Sequence, residues 1–155
     1  EGFKTYETLP HRLQNIGTVD GVTYYDDSIS TIDETTIQAL NTLRNADTVI
    51  IGGMDRGISY ESLEKYLATS KVPHIILMEA TGKRIYKEIE DMDEFRGRER
   101  LILVEHLEDA VLTAKKVTAR GKVCVMSPAA ASYGIFKNFE ERGDAFKALV
   151  HSKDI

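Results

Sequence analysis

Thr48-Val49-Ile50-Ile51-Gly52-Gly53 (TVIIGG) is the stretch on which the fold turns. Four β-branched residues in a row favour an extended chain, and no polar residue alternates with them. Such a strand is buried on both faces, as in a parallel sheet. The paired glycines let the chain turn sharply at its end. Runs of the same kind recur as HIILM (74–78), LILV (101–104) and KVCVM (122–126). Between them the period changes. Ile37, Leu40 and Leu43 have helical spacing within residues 34–45, and Leu63 and Leu67 share one face of a segment running from a Ser59 cap to about Ala68. Gly82 opens a charged helix that continues to about Ile89. Residues 107–119 turn Leu107, Val111, Ala114 and Val117 inward, with Gly121 closing the helix. SPAAAS leads into a last helix ending near His151, and DMDEFRGRER (91–100) reads as a solvated loop. Strands alternating with helices predict an α/β domain of three layers, with a mostly parallel sheet between helices. Asp20-Gly21, between IGTV and VTYY, predicts a two-residue hairpin that adds an N-terminal antiparallel edge.

The 155 residues suit one domain. With 42% hydrophobic and 29% charged residues, the chain can build a packed core. A net charge of -5 with scattered Lys and Arg argues against nucleic acid as a partner. No apolar run approaches the roughly 20 residues of a membrane span, so no membrane partner is expected. No signal peptide is visible. The single Cys124 lies inside VCVM and reads as a buried thiol in a reducing, cytoplasmic setting. The sequence starts at Glu1, and residues 1–10 lack periodicity. They read as a linker from a central domain that lies outside this sequence, leaving 11–155 as the folded domain.

In open parallel sheets, ligands bind beyond the carboxyl ends of the strands. Three such loops carry unusual residues. The first is DDSISTIDETT (26–36). Thr31-x-x-Glu34 fits a capping box, or Asp33 is the cap; either explains the helix start but not Asp26-Asp27-Ser28. Adjacent carboxylates at a strand end repel unless they are solvated or given donors. The second is GGMDRG (52–57), where Arg56 either pairs with Asp55 or offers its planar fork to a carboxylate or phosphate. The third is SPAAASYGIFKNFEERGDAF (127–146). There Ser132 either caps a helix or binds an anion at its N-terminus. Phe136, Phe139 and Phe146 have the spacing of core residues, whereas Arg142 and Gly143 are harder to place. His11, in the linker, reads as solvated. His74, His106 and His151 show no metal-site spacing, so no metal is expected here. A GxxxxGK[ST] phosphate loop, a GxGxxG and a nucleophile elbow are all absent from the sequence.

Taken together, HRLQ, GVTYYDDSISTIDETTIQAL, IIGGMDRG and MSPAAASYGIFKNFEERGDAF resemble, in order and spacing, the C-terminal domain of the Mur ligases, in the glutamate-adding branch. The likeness runs from His11 to about Val150. It implies a Rossmann-like third domain of an ATP-dependent amide ligase of peptidoglycan synthesis. In that family the first two domains hold the UDP-sugar substrate, UDP-N-acetylmuramoyl-L-alanine, and most contacts to ATP and Mg2+. No catalytic residue is then expected in this domain, whose task is to hold glutamate and close over the nucleotide. By position, the resemblance assigns Arg12 and Asp27 to the nucleotide, with Asp27 near the ribose. Thr31 and Arg56 are assigned to one glutamate carboxylate. Ser132 and Phe139 go to the other, Phe139 through its backbone, and Tyr133 lines the same pocket. Arg142 would be structural or face the nucleotide. Two positions depart from the family: Ile29 stands where it has lysine, and Arg56 also replaces a lysine. They leave open an L-glutamate-adding variant. The residues alone also leave open a non-catalytic Rossmann-like module that binds a small anion or nucleotide.

Overall fold

The computed structural model describes residues 9–93, 95 and 97–153. Most of the expected linker, residues 1–8, lies outside the described residues, as do Glu94 and Arg96 of the expected 91–100 loop. The chain runs β1 (Gln14–Val19), β2 (Val22–Asp26), α1 (Asp33–Thr42), β3 (Ala46–Gly52), α2 (Glu61–Thr69) and β4 (His74–Met78). It continues through α3 (Glu79–Glu90), β5 (Leu101–Val104), α4 (Leu107–Val117), β6 (Val123–Met126) and α5 (Phe139–His151). The strands form one sheet in the order β1-β2-β6-β3-β4-β5. Every pairing is parallel except β1 with β2. That hairpin turns on Asp20 and Gly21, whose φ angles of 51° and 84° are those of the mirror-image turn matching strand twist. A bulge at Ile16 interrupts the β1 register.

The sheet divides the core in two. Val49 and Ile51 face Leu40, Leu63, Leu67, Ile85 and Ile89, so α1, α2 and α3 cover one side. Ile50, between them, points the other way toward Leu107, Val111, Ala114, Phe146 and Val150 of α4 and α5. The expected three-layer α/β architecture is present. Helix α1 ends at Thr42, three residues short of its expected end, and four other boundaries differ, each for a local reason. Helix α3 starts at Glu79, directly after β4, and not at Gly82. Gly82 is needed for packing: a Cβ there would lie 2.7 Å from the Leu77 carbonyl carbon. Gly121 does not close α4, whose C-cap is Thr118. It sits at φ 85° in a turn closed by Lys122 N–H donating to the Ala119 carbonyl at 3.1 Å. Ser59 lies one residue before the true N-cap Tyr60, although its hydroxyl still accepts the Glu61 N–H at 3.3 Å. Helix α5 starts at Phe139, well after SPAAAS, and Asn138 caps it by accepting the Glu141 N–H at 2.8 Å.

Beneath the β3–α2 connection, Glu64 of α2 is buried beside Glu88 of α3. Burial and the Glu88 carboxylate push its carboxyl up to about 8. Folding thus holds a proton that the unfolded chain releases above the ordinary carboxyl range. This contribution is complete below that range, fades as pH rises, and is gone above about 8. Glu64→Gln lacks this titration, so its melting temperature should fall less between pH 6 and pH 8 than that of the parent chain. Parallel curves for the two proteins would contradict the assignment.

Three neighbouring strands, β2, β6 and β3, run parallel and end at one edge of the sheet. From β3 the chain moves outward to β4 and β5, then returns to place β6 on the other side of β3. That reversal is the topological switch at which open α/β sheets bind ligands. It brings the three loops singled out in the sequence side by side.

Candidate functional site

Backbone and side-chain bonds stitch these loops together. Gly52 N–H donates to the Pro128 carbonyl at 2.9 Å, and Met54 N–H to the Ala131 carbonyl at 2.9 Å. The Ser127 hydroxyl donates to Asp27 Oδ2 at 2.7 Å, while Thr36 Oγ1 donates to the Ser127 carbonyl at 3.1 Å. Arg56 Nη2 donates to the Thr31 carbonyl at 2.9 Å.

The Asp26-Asp27 pair finds donors on two sides, which removes the repulsion expected of adjacent carboxylates. Asp26 Oδ1 accepts the Ser28 N–H at 2.9 Å, and Oδ2 lies 2.6 Å from His11 Nδ1. His11 is therefore packed rather than solvated: its side chain is 12% exposed, and the ring meets Phe139 edge-on. Asp27 Oδ1 accepts the Leu13 N–H at 3.0 Å. The two carboxylates thus grip the residues on either side of Arg12. Both flanking residues have positive φ, 66° at His11 and 42° at Leu13, a strained geometry that persists only when bonded in place. Arg12 lines a cleft of about 240 Å³ with Asp27, Ile29, Thr35 and Gln38. The structure brings together the two residues expected at the nucleotide. Burial pushes the Asp27 carboxyl up to about 6 against the pull of the Ser127 and Leu13 hydrogen bonds, so it is ionised at neutral pH. Both of its oxygens are turned onto protein donors.

The residues expected at glutamate divide differently. Thr31 and Arg56 meet directly. Neither Thr31 nor Asp33 caps α1: the N-cap is Ile32, in extended conformation, with no side-chain cap. The Ser30 hydroxyl instead bonds Thr35 and Thr36 within the first turn. Asp55 does not pair with Arg56; Arg84 Nη1 holds it at 2.9 Å. Ser132 is buried one residue after the Met54–Ala131 bridge, and it is no helix cap, because α5 begins seven residues later. Tyr133 is 61% exposed at the rim. Phe139 opens α5, and its carbonyl accepts the Ser28 hydroxyl at 2.6 Å. Of the three phenylalanines, Phe146 is in the core, and Phe136, which precedes the helix, is half-buried against it.

Arg142 is fully buried. Its Nε donates to Ser28 Oγ at 2.9 Å and its Nη2 to the Ser28 carbonyl at 2.8 Å, an internal tie between the first and third loops. Burial lowers its pKa to about 10, so it stays charged. Gly53 has no room for a side chain: a Cβ would lie 2.6 Å from the Ala131 carbonyl oxygen and 3.1 Å from Arg142 Nη1. Sequence reasoning missed Tyr60 and Arg84, which lie under the second loop, and Thr35 and Gln38 of the cleft. For the last two, the helical spacing from Thr31 was the available signal. Among the described residues no group of three or more His, Cys, Asp or Glu could hold a metal ion. No helix among them is long and apolar enough to cross a membrane.

No family model matches the chain. It is 36% identical over 152 residues to the UDP-N-acetylmuramoylalanine--D-glutamate ligase of Citrifermentans bemidjiense, covering 98% of this chain and 32% of that protein. It is 38% identical over 145 residues to the ligase of the same name from Clostridium acetobutylicum, covering 93% and 31%. The chain spans about a third of the length of these curated relatives and is homologous to that third. Solved structures share its fold. The murein peptide ligase of Psychrobacter arcticus 273-4 matches at TM-score 0.60 and 16% identity, over 94% of this chain and 31% of its own. The folylpolyglutamate synthase of Mycobacterium tuberculosis complexed with ADP matches at TM-score 0.63 and 13% identity, over 94% and 33%.

Proposed function

We propose that the chain, residues 11–155 in particular, is the C-terminal, amino-acid-binding domain of an ATP-dependent ligase. That ligase adds D-glutamate to UDP-N-acetylmuramoyl-L-alanine, and residues 1–10 lead in from its central domain. Homology over 98% of this chain to about a third of ligases named for this reaction supports the assignment. The structural observation that carries it is Arg56. Its guanidinium reaches across to the Thr31 carbonyl at the switch point, and among the described residues no acid lies within ion-pair distance of it.

In this reading the chain's own residues bind and orient, and none of them is catalytic. Arg56, with the Thr31 hydroxyl, holds one glutamate carboxylate; a planar fork suits that task. The Ser132 hydroxyl and the Phe139 N–H at the start of α5 hold the other, where the helix dipole favours an anion. Tyr133 covers the rim. A dianion gripped at both carboxylates keeps its amine free and aimed, which supplies rate by orientation. Arg12, whose neighbours His11 and Leu13 are held by Asp26 and Asp27, faces the nucleotide across the cleft with Asp27 and Ile29. ATP, bound with Mg2+ mainly by the central domain, supplies the phosphoryl group that activates the acceptor carboxylate.

In the full-length ligase, Arg56→Ala should raise the KM for glutamate by about tenfold or more, the cost of a lost charged hydrogen-bonding partner. The KM for ATP should stay within about twofold. Equal rises in both would remove Arg56 from the amino-acid site. Parallel ligation assays with D- and L-glutamate test the stereochemistry, with turnover expected for the D isomer.

A further inference from the structure

Arg56 follows Asp55 directly in the chain, and an exposed neighbouring pair of this kind can neutralise itself. Here the geometry prevents it. Asp55 Oδ1 accepts Arg84 Nη1 at 2.9 Å and the Gly57 N–H at 2.9 Å. These donors hold its carboxyl below the ordinary range, Gly57 foremost and then Arg84. Arg84 arrives from α3, 29 residues away, and is itself anchored. Its Nε donates to Glu88 Oε2 at 2.9 Å, and its guanidinium carbon stands 5.1 Å from the centroid of the Tyr60 ring. The Tyr60 hydroxyl donates to the Ala129 carbonyl at 2.7 Å, which fixes the platform under Arg84 to the loop carrying Ser132. Asp55 is thus turned away from its neighbour by a cation held on three sides.

We infer that Arg84 is a positioning residue that sets charge specificity at the amino-acid site: by taking up Asp55 it leaves Arg56 as an uncompensated cation for a substrate carboxylate. Without Arg84, Asp55 keeps only the Gly57 N–H on Oδ1, and its other oxygen can turn toward Arg56 and compete with the substrate. The inference rests on the reading of Arg56 as the carboxylate holder, and it adds a residue that touches no substrate. The sequence alone gives no hint of it, because Arg84 lies in a charged helix where any basic residue looks solvated.

A four-member set of full-length ligase variants tests it: parent, Arg84→Gln, Asp55→Asn and the double variant. Asparagine keeps an acceptor for the Gly57 N–H. Arg84→Gln should raise the glutamate KM by about three- to fivefold, the strength of one exposed ion pair, with kcat and the ATP KM unchanged. Asp55→Asn alone should leave the KM within about twofold, since Glu88 and Tyr60 still hold Arg84. The double variant should return to the parent KM, because the competitor is gone. Arg84→Lys, which keeps a cation for Asp55, should behave as the parent. An unchanged KM in Arg84→Gln overturns the inference, as does a double variant that stays impaired, which would mark a purely structural role. Asp55→Asn lowering the KM as much as Arg84→Gln raises it also overturns it, since that is a general field effect. Arg56→Ala, run alongside, separates the two levels. If Arg56→Ala leaves the glutamate KM unchanged, the carboxylate-holder reading fails and takes the inference with it. If Arg56→Ala raises the KM and Arg84→Gln does not, only the inference fails.

Discussion

Replacing Arg142 by methionine is expected to cost the folded chain about 3–5 kcal/mol, the range for breaking a buried charged network from one side. The side chain is fully buried, so the methionine would fill most of its volume and the loss would be electrostatic. Ser28 would lose both of its arginine partners, one at the hydroxyl and one at the carbonyl. Two acids feel the arginine charge, Glu79 most strongly and then Asp26. Glu79 is itself buried, with one carboxylate oxygen lacking a partner, and burial already raises its pKa. Removing the cation would raise it further. Lysine should rescue little, because it cannot reproduce a fork that reaches Ser28 twice. Urea unfolding of parent, Arg142→Met and Arg142→Lys checks this. A loss below about 1 kcal/mol in Arg142→Met would show that the network is dispensable.

Gly52→Ala should be at least as damaging. Gly52 ends β3 at φ 137°, and a Cβ on it would stand 1.9 Å from the Met78 carbonyl oxygen and 2.8 Å from the carbonyl carbon. Those atoms belong to the adjacent strand, which cannot move aside without unpairing the sheet. Strain at this φ and the overlap together should cost upwards of about 3 kcal/mol. For a chain of this size that is a drop of roughly 10 °C in melting temperature. Gly57→Ala is the control. Gly57 also has positive φ, 79°, but nothing lies within 4 Å of its Cβ position, so only the backbone term of about 1 kcal/mol applies. Similar losses in the two variants would sink the steric account.

These two glycines show what the sequence could and could not disclose. Apolar strands, helical spacing and the Asp20-Gly21 turn are local signals, and they were enough for three layers and a hairpin. Where the strands sit relative to each other follows from topology, and that made TVIIGG, the run into SPAAAS and the end of GVTYYDD converge. Glycine was misread at residues 82 and 121 because its two uses, ending helices and allowing close approach, look identical in one dimension. Hydroxyls were misread for a similar reason. Thr31 and Ser132 have the residue types of caps, yet the true cap positions are Ile32 and Asn138. Arg12, Asp27, Thr31 and Arg56 could be nominated because they sit in the loops themselves. Arg84 and Tyr60 could not, since their bonds to Asp55 and Ala129 span 29 and 69 residues.

The bulge in β1 has a consequence for how copies of the chain meet. An edge strand ordinarily offers a regular row of backbone donors and acceptors, a template for another molecule's strand. At the bulge Ile16 drops out of the ladder, and its carbonyl is taken by His151 Nε2 at 2.7 Å, from the end of the last helix. The opposite edge, β5, is only four residues long. One rim is broken and the other is short, so the sheet discourages growth into a cross-strand aggregate.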